Sequence, residues 1–141
     1  TILQHGDSLR LAELQVDFLQ SQQDSAELAD NESSLAAVLN CRGQSILLPG
    51  DLEGSGLQQL LGLLPACGLL VSPHHGSPAA NPPELARQVR PAHVIISDRD
   101  ERHQARLLKS YPESQLLFTG VAGAVESRID ARGRLVVRSF R

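Results

Sequence analysis

The sequence predicts an α/β domain with a mixed β-sheet, antiparallel strands near both ends of the chain and about three packed helices. Up to residue 40, apolar residues alternate with polar ones, which is typical of half-exposed antiparallel strands. From residue 45 onward, short unbroken apolar runs are separated by helical patterns; these runs lie at 46–48, 69–71 and 94–96. Such runs are typical of strands covered on both faces, so the second part is predicted to be α/β.

The first forty residues predict three strands, around 9–11, 14–18 and 35–39. The stretch 20–33 is rich in Gln, Ser, Asp and Glu and is predicted to be a surface loop. The chain is predicted to close with strands near 116–118, 124–129 and 135–137, the last two joined by a turn at 131–133.

Three helices are predicted between these strands. The first runs from about Glu53 to just before Pro65, because four leucines, at 57, 60, 61 and 64, recur at helical spacing. The second has Asn81 as its N-cap, with Pro82 at N1 and Glu84 as the capping-box partner. The third covers 100–110. Four apolar side chains of the last two helices are expected to face inward: Leu85, Val89, Leu107 and Leu108.

A chain of 141 residues and 15.2 kDa is expected to form one domain, 1–141. Because it contains no Met, even at position 1, it is predicted to be an excised part of a longer domain. Cys41 and Cys67 are expected to be two small buried thiols, which leaves the redox compartment open. No apolar stretch reaches the 18 residues of a membrane span, so the piece is expected to be soluble.

Charge is distributed unevenly between the two parts of the chain. Residues 1–60 hold nine acidic and two basic residues, whereas residues 61–141 hold seven acidic and eleven basic ones, so the net charges are −7 and +4. Arg99, Arg102, Arg106 and Lys109 are spaced along one predicted helix face. Such a row is either a solvated face or a contact to a nucleic-acid backbone, and the chain lacks the aromatic platforms that would favour the second reading.

Two adjacent imidazoles, His74 and His75, follow the predicted strand 69–71 and precede Gly76. Asp51 follows the strand 46–48 in the same way. Ligand sites of open α/β sheets lie at the carboxyl ends of strands, so these side chains are predicted to share one edge and to form a metal site or a general-base site. His74 is favoured as the first ligand, with the order of the two rings left open. The alternatives are a turn or N-cap aspartate and a buried structural histidine.

Two other kinds of site are excluded by spacing. The segment Gly54-Ser55-Gly56 lacks the third glycine of a dinucleotide loop and is not followed by a GKS or GKT triplet. Neither Ser72 nor Ser77 lies in a GxSxG elbow, which disfavours a serine hydrolase.

Five segments, taken in order, resemble the second half of the metallo-β-lactamase domain in the ComEC family of competence proteins. They start at Gly6, Asn31, Leu47, Pro73 and Arg90 and read GDSLRL, NESSL, LLPGDLE, PHHGS and RPAHVIIS. The resemblance implies an αββα sandwich, in which two sheets lie between helices and a two-metal site lies along one edge. It implies that this chain supplies the second half of that fold.

The resemblance also implies roles for individual residues. Asp51 matches the acidic residue that bridges two metals, and His74 and His75 match a late histidine motif. Four residues lie in or beside the matching segments and are implied as supporting contacts: Asn31, Ser33, Ser77 and His103. His103 stands where the family has Gly-His-Pro, and the early HxHxDH cluster would lie upstream of Thr1. Two divalent ions are implied for the complete domain, as Mn, Zn or Mg.

The function implied by the resemblance is metal-dependent cleavage of a phosphodiester, as in a nuclease associated with DNA uptake. The implied partners are single-stranded DNA, the missing N-terminal half of the domain and a membrane channel in the same polypeptide. The implied location is the extracytoplasmic side of the cytoplasmic membrane, and the piece alone is expected to be inactive. The alternatives are a non-catalytic scaffold or DNA-gripping module, and a stand-alone phosphodiesterase related to secreted choline-phosphate hydrolases.

Overall fold

The computed structural model describes residues 2–21, 30–98 and 103–141. Within these residues the chain forms a seven-stranded mixed sheet with the strand order β1 to β7. The strands are β1 Ser8–Leu11, β2 Leu14–Leu19, β3 Ala36–Cys41, β4 Gln44–Leu48, β5 Leu69–Val71, β6 His93–Ile96 and β7 Gln115–Phe118. The remaining two strands, β8 Ala124–Ile129 and β9 Leu135–Phe140, pair with each other as a separate antiparallel sheet.

The sheet changes character at β4, where the texture of the sequence also changes. Strands β1 to β4 are antiparallel neighbours, whereas β4 to β7 are parallel. Parallel strands need crossovers, and helices supply them here: α1 Gly54–Leu60 follows β4, α2 Pro83–Val89 follows β5, and α3 Gln104–Ser110 follows β6. The predicted fold class is therefore confirmed, and a short α4 Thr119–Ala122 adds a helix that was not predicted.

The core lies between the parallel strands and these helices. Leu47, Leu70 and Val94 on the strands are fully buried, and they belong to one cluster with Leu57 and Leu60 of α1. The predicted first helix ends earlier than expected as an α-helix, because residues Leu61–Leu63 tighten into a 3₁₀ turn. Leu64 is still buried, so the predicted apolar face is real although its geometry changes. No helix in the described ranges is long and apolar enough to cross a membrane.

Two expectations about the later helices are wrong. Asn81 is not the N-cap of α2, since the helix begins at Pro83 with Pro82 in the cap position and no side-chain cap. Asn81 is buried instead, and Glu84 pairs with Arg87. Leu108 is half exposed because α3 turns one face to the core, where Leu107 is buried. The part of the predicted third helix at 100–102 lies outside the described residues.

The hairpin β8–β9 is linked to the main sheet through the turn between β3 and β4. Arg42 Nη1 donates to the carbonyl oxygen of Asp130 at 3.0 Å, and Gln44 Nε2 donates to that of Gly133 at 3.0 Å. The hairpin turn at 131–133 is where the sequence predicts it, and Gly133 has a φ of 76°. The carboxylate of Asp130 accepts the backbone N–H groups of Arg132 and Arg134, so this turn is closed by its own side chain.

The cysteines differ from each other in burial. Cys67 is buried, and this burial raises the pKa of its thiol to about 12. Cys41 is only half buried, and both thiols are free. The expectation of two buried thiols therefore holds for Cys67 alone.

Candidate metal centre

The candidate site lies at the carboxyl ends of the neighbouring parallel strands β4, β5 and β6. The loop after β4 carries Asp51 and Glu53, the loop after β5 carries His74 and His75, and Asp98 follows β6. These loops meet because parallel strands end at the same edge of a sheet. A hydrogen bond from the backbone N–H of His74 to the carbonyl oxygen of Gly50, at 3.1 Å, joins the first two loops directly.

The two histidines lie in a 3₁₀ turn, Pro73–Gly76, with unusual backbone angles. His74 has φ 44° and ψ 52°, and His75 has φ 53° and ψ 28°, both in the left-handed region. A non-glycine residue in this region costs about 1 to 2 kcal/mol, so two in succession need support from their surroundings. Such strain concentrates at functional sites, and here it lies in the residues that the sequence singles out.

Asp51 and His75 approach each other at the solvent edge. The Nε2 atom of His75 is 3.9 Å from the Oδ1 atom of Asp51, and the side chains are 67% and 49% exposed, respectively. This separation is too long for a hydrogen bond. In a tetrahedral zinc site, oxygen and nitrogen ligands each lie about 2.1 Å from the metal, so two of them are about 3.4 Å apart. The donor types suit a shared divalent cation, and the two atoms would have to approach each other by about 0.5 Å to bind a tetrahedral ion.

His74 is held differently, by Glu53. Its Nδ1 atom is 2.9 Å from Glu53 Oε2, and Asn31 Nδ2 donates to Glu53 Oε1 at 3.0 Å. These hydrogen bonds, that of Asn31 first and that of His74 second, hold the pKa of the Glu53 carboxyl below its ordinary value of 4.5. An ionised carboxylate can only accept, so Nδ1 of His74 carries a proton, and Nε2 is the nitrogen left to bind a metal when the ring is neutral. A carboxylate in this place orients an imidazole for metal binding.

Both imidazoles border a cavity of about 190 Å³. Its other lining residues are Ser77, Asp98 and His103. The structure thus brings Ser77 and His103, two of the predicted supporting residues, to the histidine pair. The role of each remains a prediction.

The remaining predicted residues are Asn31, Ser33 and the row of four cations. Asn31 reaches the site through Glu53, whereas the backbone oxygen of Ser33 accepts from Gln20 Nε2 at 2.8 Å. Arg106 and Lys109 lie on α3 and are exposed. Arg99 and Arg102 lie outside the described residues, so the row of four cations is not tested.

Sequence reasoning missed Glu53 and Asp98 as members of the site. The sequence pattern predicts Glu53 only as the start of a helix, although it lies two residues after Asp51. Asp98 follows a buried strand just as Asp51 does, and that repeated pattern was the available signal. No group of three or more His, Cys, Asp and Glu side chains close enough to hold a metal occurs within 2–21, 30–98 and 103–141.

Two solved structures share this fold. A protein assigned as a metal-dependent hydrolase from Parabacteroides distasonis matches with a TM-score of 0.60 and 11% identity, over 84% of this chain and 57% of that chain. The metallo-β-lactamase fold protein YhfI from Bacillus subtilis matches with a TM-score of 0.54 and 9% identity, over 82% of this chain and 51% of that chain. At these identities the likeness shows the fold alone, and it confirms the predicted metallo-β-lactamase fold.

Sequence comparison gives the family. The sequence is 33% identical to ComE operon protein 3 of Bacillus subtilis strain 168 in an alignment of 97 residues that covers 67% of this chain. The chain belongs to the ComEC family. The match covers 12% of that relative's length, so this ComEC-family chain corresponds to a small part of it. No protein-family model matches the chain.

Proposed function

We propose that this ComEC-family chain forms part of a metal-dependent phosphodiesterase site of the nuclease type, acting on single-stranded DNA during natural competence. The observation that carries the proposal is the pairing of Asp51 with His75 at 3.9 Å, beside a His74 ring oriented by Glu53. Oxygen and nitrogen donors of this kind suit Mn and Zn, and carboxylate oxygen also suits Mg.

In this proposal Asp51, His74 and His75 hold the metal side of the site. A pair of divalent ions lowers the pKa of bound water to about 7 and neutralises the charge of a phosphodiester. The chain's own residues orient the metal ligands and line the space beside them. Glu53 fixes the proton of His74 on Nδ1, and Ser77, Asp98 and His103 line the adjoining cavity, where a substrate phosphate has room.

The chain is further proposed to work as one part of a longer domain. The two solved proteins are about one and a half times as long, since 84% and 82% of this chain cover 57% and 51% of them. The missing N-terminal half is proposed to supply the remaining ligands, and a membrane channel in the same polypeptide to receive the DNA strand. The same proposal assigns the domain to the extracytoplasmic side of the cytoplasmic membrane.

The test uses Asp51→Ala and His74→Ala, with Glu113→Ala as a matched control that removes an exposed carboxylate elsewhere. Calorimetric titration with Mn²⁺ and Zn²⁺ and cleavage of single-stranded DNA are measured in the intact domain. We expect the first two variants to lose metal-dependent cleavage while they still melt cooperatively, and the control to behave as wild type. The 141-residue chain alone is expected to be inactive.

Two results would contradict this proposal. Cleavage that survives Asp51→Ala would remove the carboxylate from the metal site. Loss of cooperative melting in either variant would show that the residue is structural.

A second function is a non-catalytic module that grips DNA. It is favoured by the exposure of Arg106 and Lys109 on α3 and by the net charge of +4 in residues 61–141. Binding of this type is electrostatic and weakens steeply with salt. A DNA affinity that falls with salt, ignores chelators and is reduced by Arg106→Ala would favour this function over hydrolysis.

A further inference from the structure

Asn81 is a buried polar side chain that directly contacts both ends of the segment Pro73–Ser77, here called the histidine turn. It is 1% exposed, and its Nδ2 atom donates to the carbonyl oxygen of Pro73 at 3.1 Å and to that of Ser77 at 2.8 Å. These two residues bracket His74 and His75. Only the amino group of the amide can donate to two carbonyl oxygens, so the orientation of the side chain is determined by its partners.

The other end of the same amide is also occupied. Asn81 Oδ1 accepts from Ser72 Oγ at 2.8 Å and from Tyr111 Oη at 2.8 Å. The backbone oxygen of Asn81 accepts from Ser110 Oγ at 2.9 Å. Every hydrogen-bonding site of the side chain is therefore used, which anchors Asn81 to the residue after β5 on one side and to the end of α3 on the other.

The histidine turn needs such an anchor. His74 and His75 both have left-handed backbone angles, which isolated residues of this type rarely adopt. Within the turn, the N–H of Ser77 donates to the carbonyl oxygen of His74 at 2.9 Å. That bond closes the turn, but the carbonyl groups of Pro73 and Ser77 are held by Asn81 from outside it.

We propose that Asn81 is a positioning residue, whose amide clamps the segment from Pro73 to Ser77 and so presents both imidazoles at the sheet edge. The positioning of this segment by Asn81 is inferred from the hydrogen bonds described above. Its consequence for metal affinity rests on the proposed function.

The experiment compares Asn81→Ala with a matched control, the double variant Ser72→Ala with Tyr111→Phe. The control removes the hydroxyl donors to Oδ1 and keeps the two Nδ2 donors. In Asn81→Ala we expect the φ-sensitive NMR couplings of His74 and His75 to leave their wild-type values and the amide of Ser77 to lose exchange protection. Couplings of β5 and β6 should not change, and the control should keep the wild-type couplings in the turn.

Metal affinity is measured separately, by titration with Zn²⁺ alone. Loss of a residue that orients metal ligands weakens metal binding about 10-fold to 100-fold, and we expect a loss in that range for Asn81→Ala and no more than about a twofold change for the control. If the wild type binds no Zn²⁺, the proposed metal function fails, while the couplings still decide the role of Asn81.

Two outcomes overturn the inference. One is an Asn81→Ala variant whose His74 and His75 couplings equal those of wild type. The other is a control variant whose His74 and His75 couplings change as much as those of Asn81→Ala, because general packing would then be the cause. If Asn81→Ala does not fold, hydrogen exchange in the wild-type protein tests the proposal. The two Nδ2 protons of Asn81 are then expected to exchange as slowly as the backbone N–H of His74. Rapid exchange of these protons would refute the proposed hydrogen bonds to Pro73 and Ser77.

Discussion

Gly56 is the position where a single added carbon should disturb both the fold and the site. A Cβ built there would lie 1.8 Å from the backbone oxygen of Glu32 and 2.7 Å from its carbonyl carbon. Glu32 belongs to the 3₁₀ turn Asp30–Ser33, which packs against α1 and carries Asn31, the residue that hydrogen-bonds Glu53. The substitution Gly56→Ala must therefore push this turn away from α1.

The expected loss follows from this geometry. An ordinary contact needs about 3.4 Å, so the Glu32 carbonyl would have to move by roughly 1.6 Å. Overpacking typically costs about 1 to 3 kcal/mol, and a lost hydrogen bond, such as that from the Ser55 N–H to Glu32 Oε1 at 2.8 Å, costs about 1 kcal/mol more. Alanine regains about 1 kcal/mol of helix propensity. Together these contributions predict that Gly56→Ala lowers the free energy of unfolding by about 1 to 3 kcal/mol.

The assay is urea and thermal unfolding, with Gly62→Ala as the matched control. A Cβ at Gly62 meets nothing within 4 Å, so this variant should range from unchanged to about 1 kcal/mol more stable. In a domain of this size, 1 kcal/mol corresponds to about 3 to 5 °C in Tm, so the two variants should melt at least about 3 °C apart. A Gly56→Ala protein as stable as wild type would refute the close approach of the turn and α1.

Two further predictions concern carboxylates. The side chain of Gln15, with two other donors, holds the pKa of Asp17 below its ordinary value of 3.8. The ionised carboxylate therefore stabilises the fold above pH 3.8, and this contribution is lost as the pH falls through the pKa of the folded state. In urea unfolding, Asp17→Asn should flatten the loss of stability below about pH 4, and an unchanged pH profile would contradict this. Glu53→Gln should shift the proton of His74 from Nδ1 toward Nε2 in ¹⁵N NMR spectra, whereas Glu113→Gln should not, and an unshifted ring would show that Glu53 does not set the tautomer.

The fold could be predicted from the sequence because it depends on patterns that local chemistry controls. Alternation over 14–18 gave β2, and the unbroken runs gave the parallel strands, since a strand buried on both faces has no polar side. The boundaries failed where tertiary contacts compete with local preferences. Asn81 has the residue type of an N-cap, but its amide forms more hydrogen bonds inside the protein than a cap would give it.

The position of the candidate site at the sheet edge was predictable from the sequence, and the contacts of its side chains were not. A strand followed by Asp51 and another followed by His74 and His75 predict a common edge, because the rule concerns topology. Which side chain faces which is decided by backbone angles that sequence patterns do not contain. Two consecutive left-handed residues turn His74 toward Glu53 and His75 toward Asp51, so the two rings acquire different partners although they are neighbours.

This division of partners explains why an adjacent pair is useful at such an edge. In an extended strand, neighbouring side chains point to opposite faces, and only one imidazole would reach the carboxylates. The left-handed turn removes that alternation and leaves the ring centroids 6.3 Å apart at an interplanar angle of 66°. The cost of the turn is then offset by contacts from two separate segments. In the loop after β4, Gly50 accepts from the N–H of His74 and Glu53 contacts its ring, while Asn81, before α2, donates to the carbonyl groups on either side of the pair. A site built in this way depends on the packing of the α/β half, because its supporting residues come from segments that are distant in sequence.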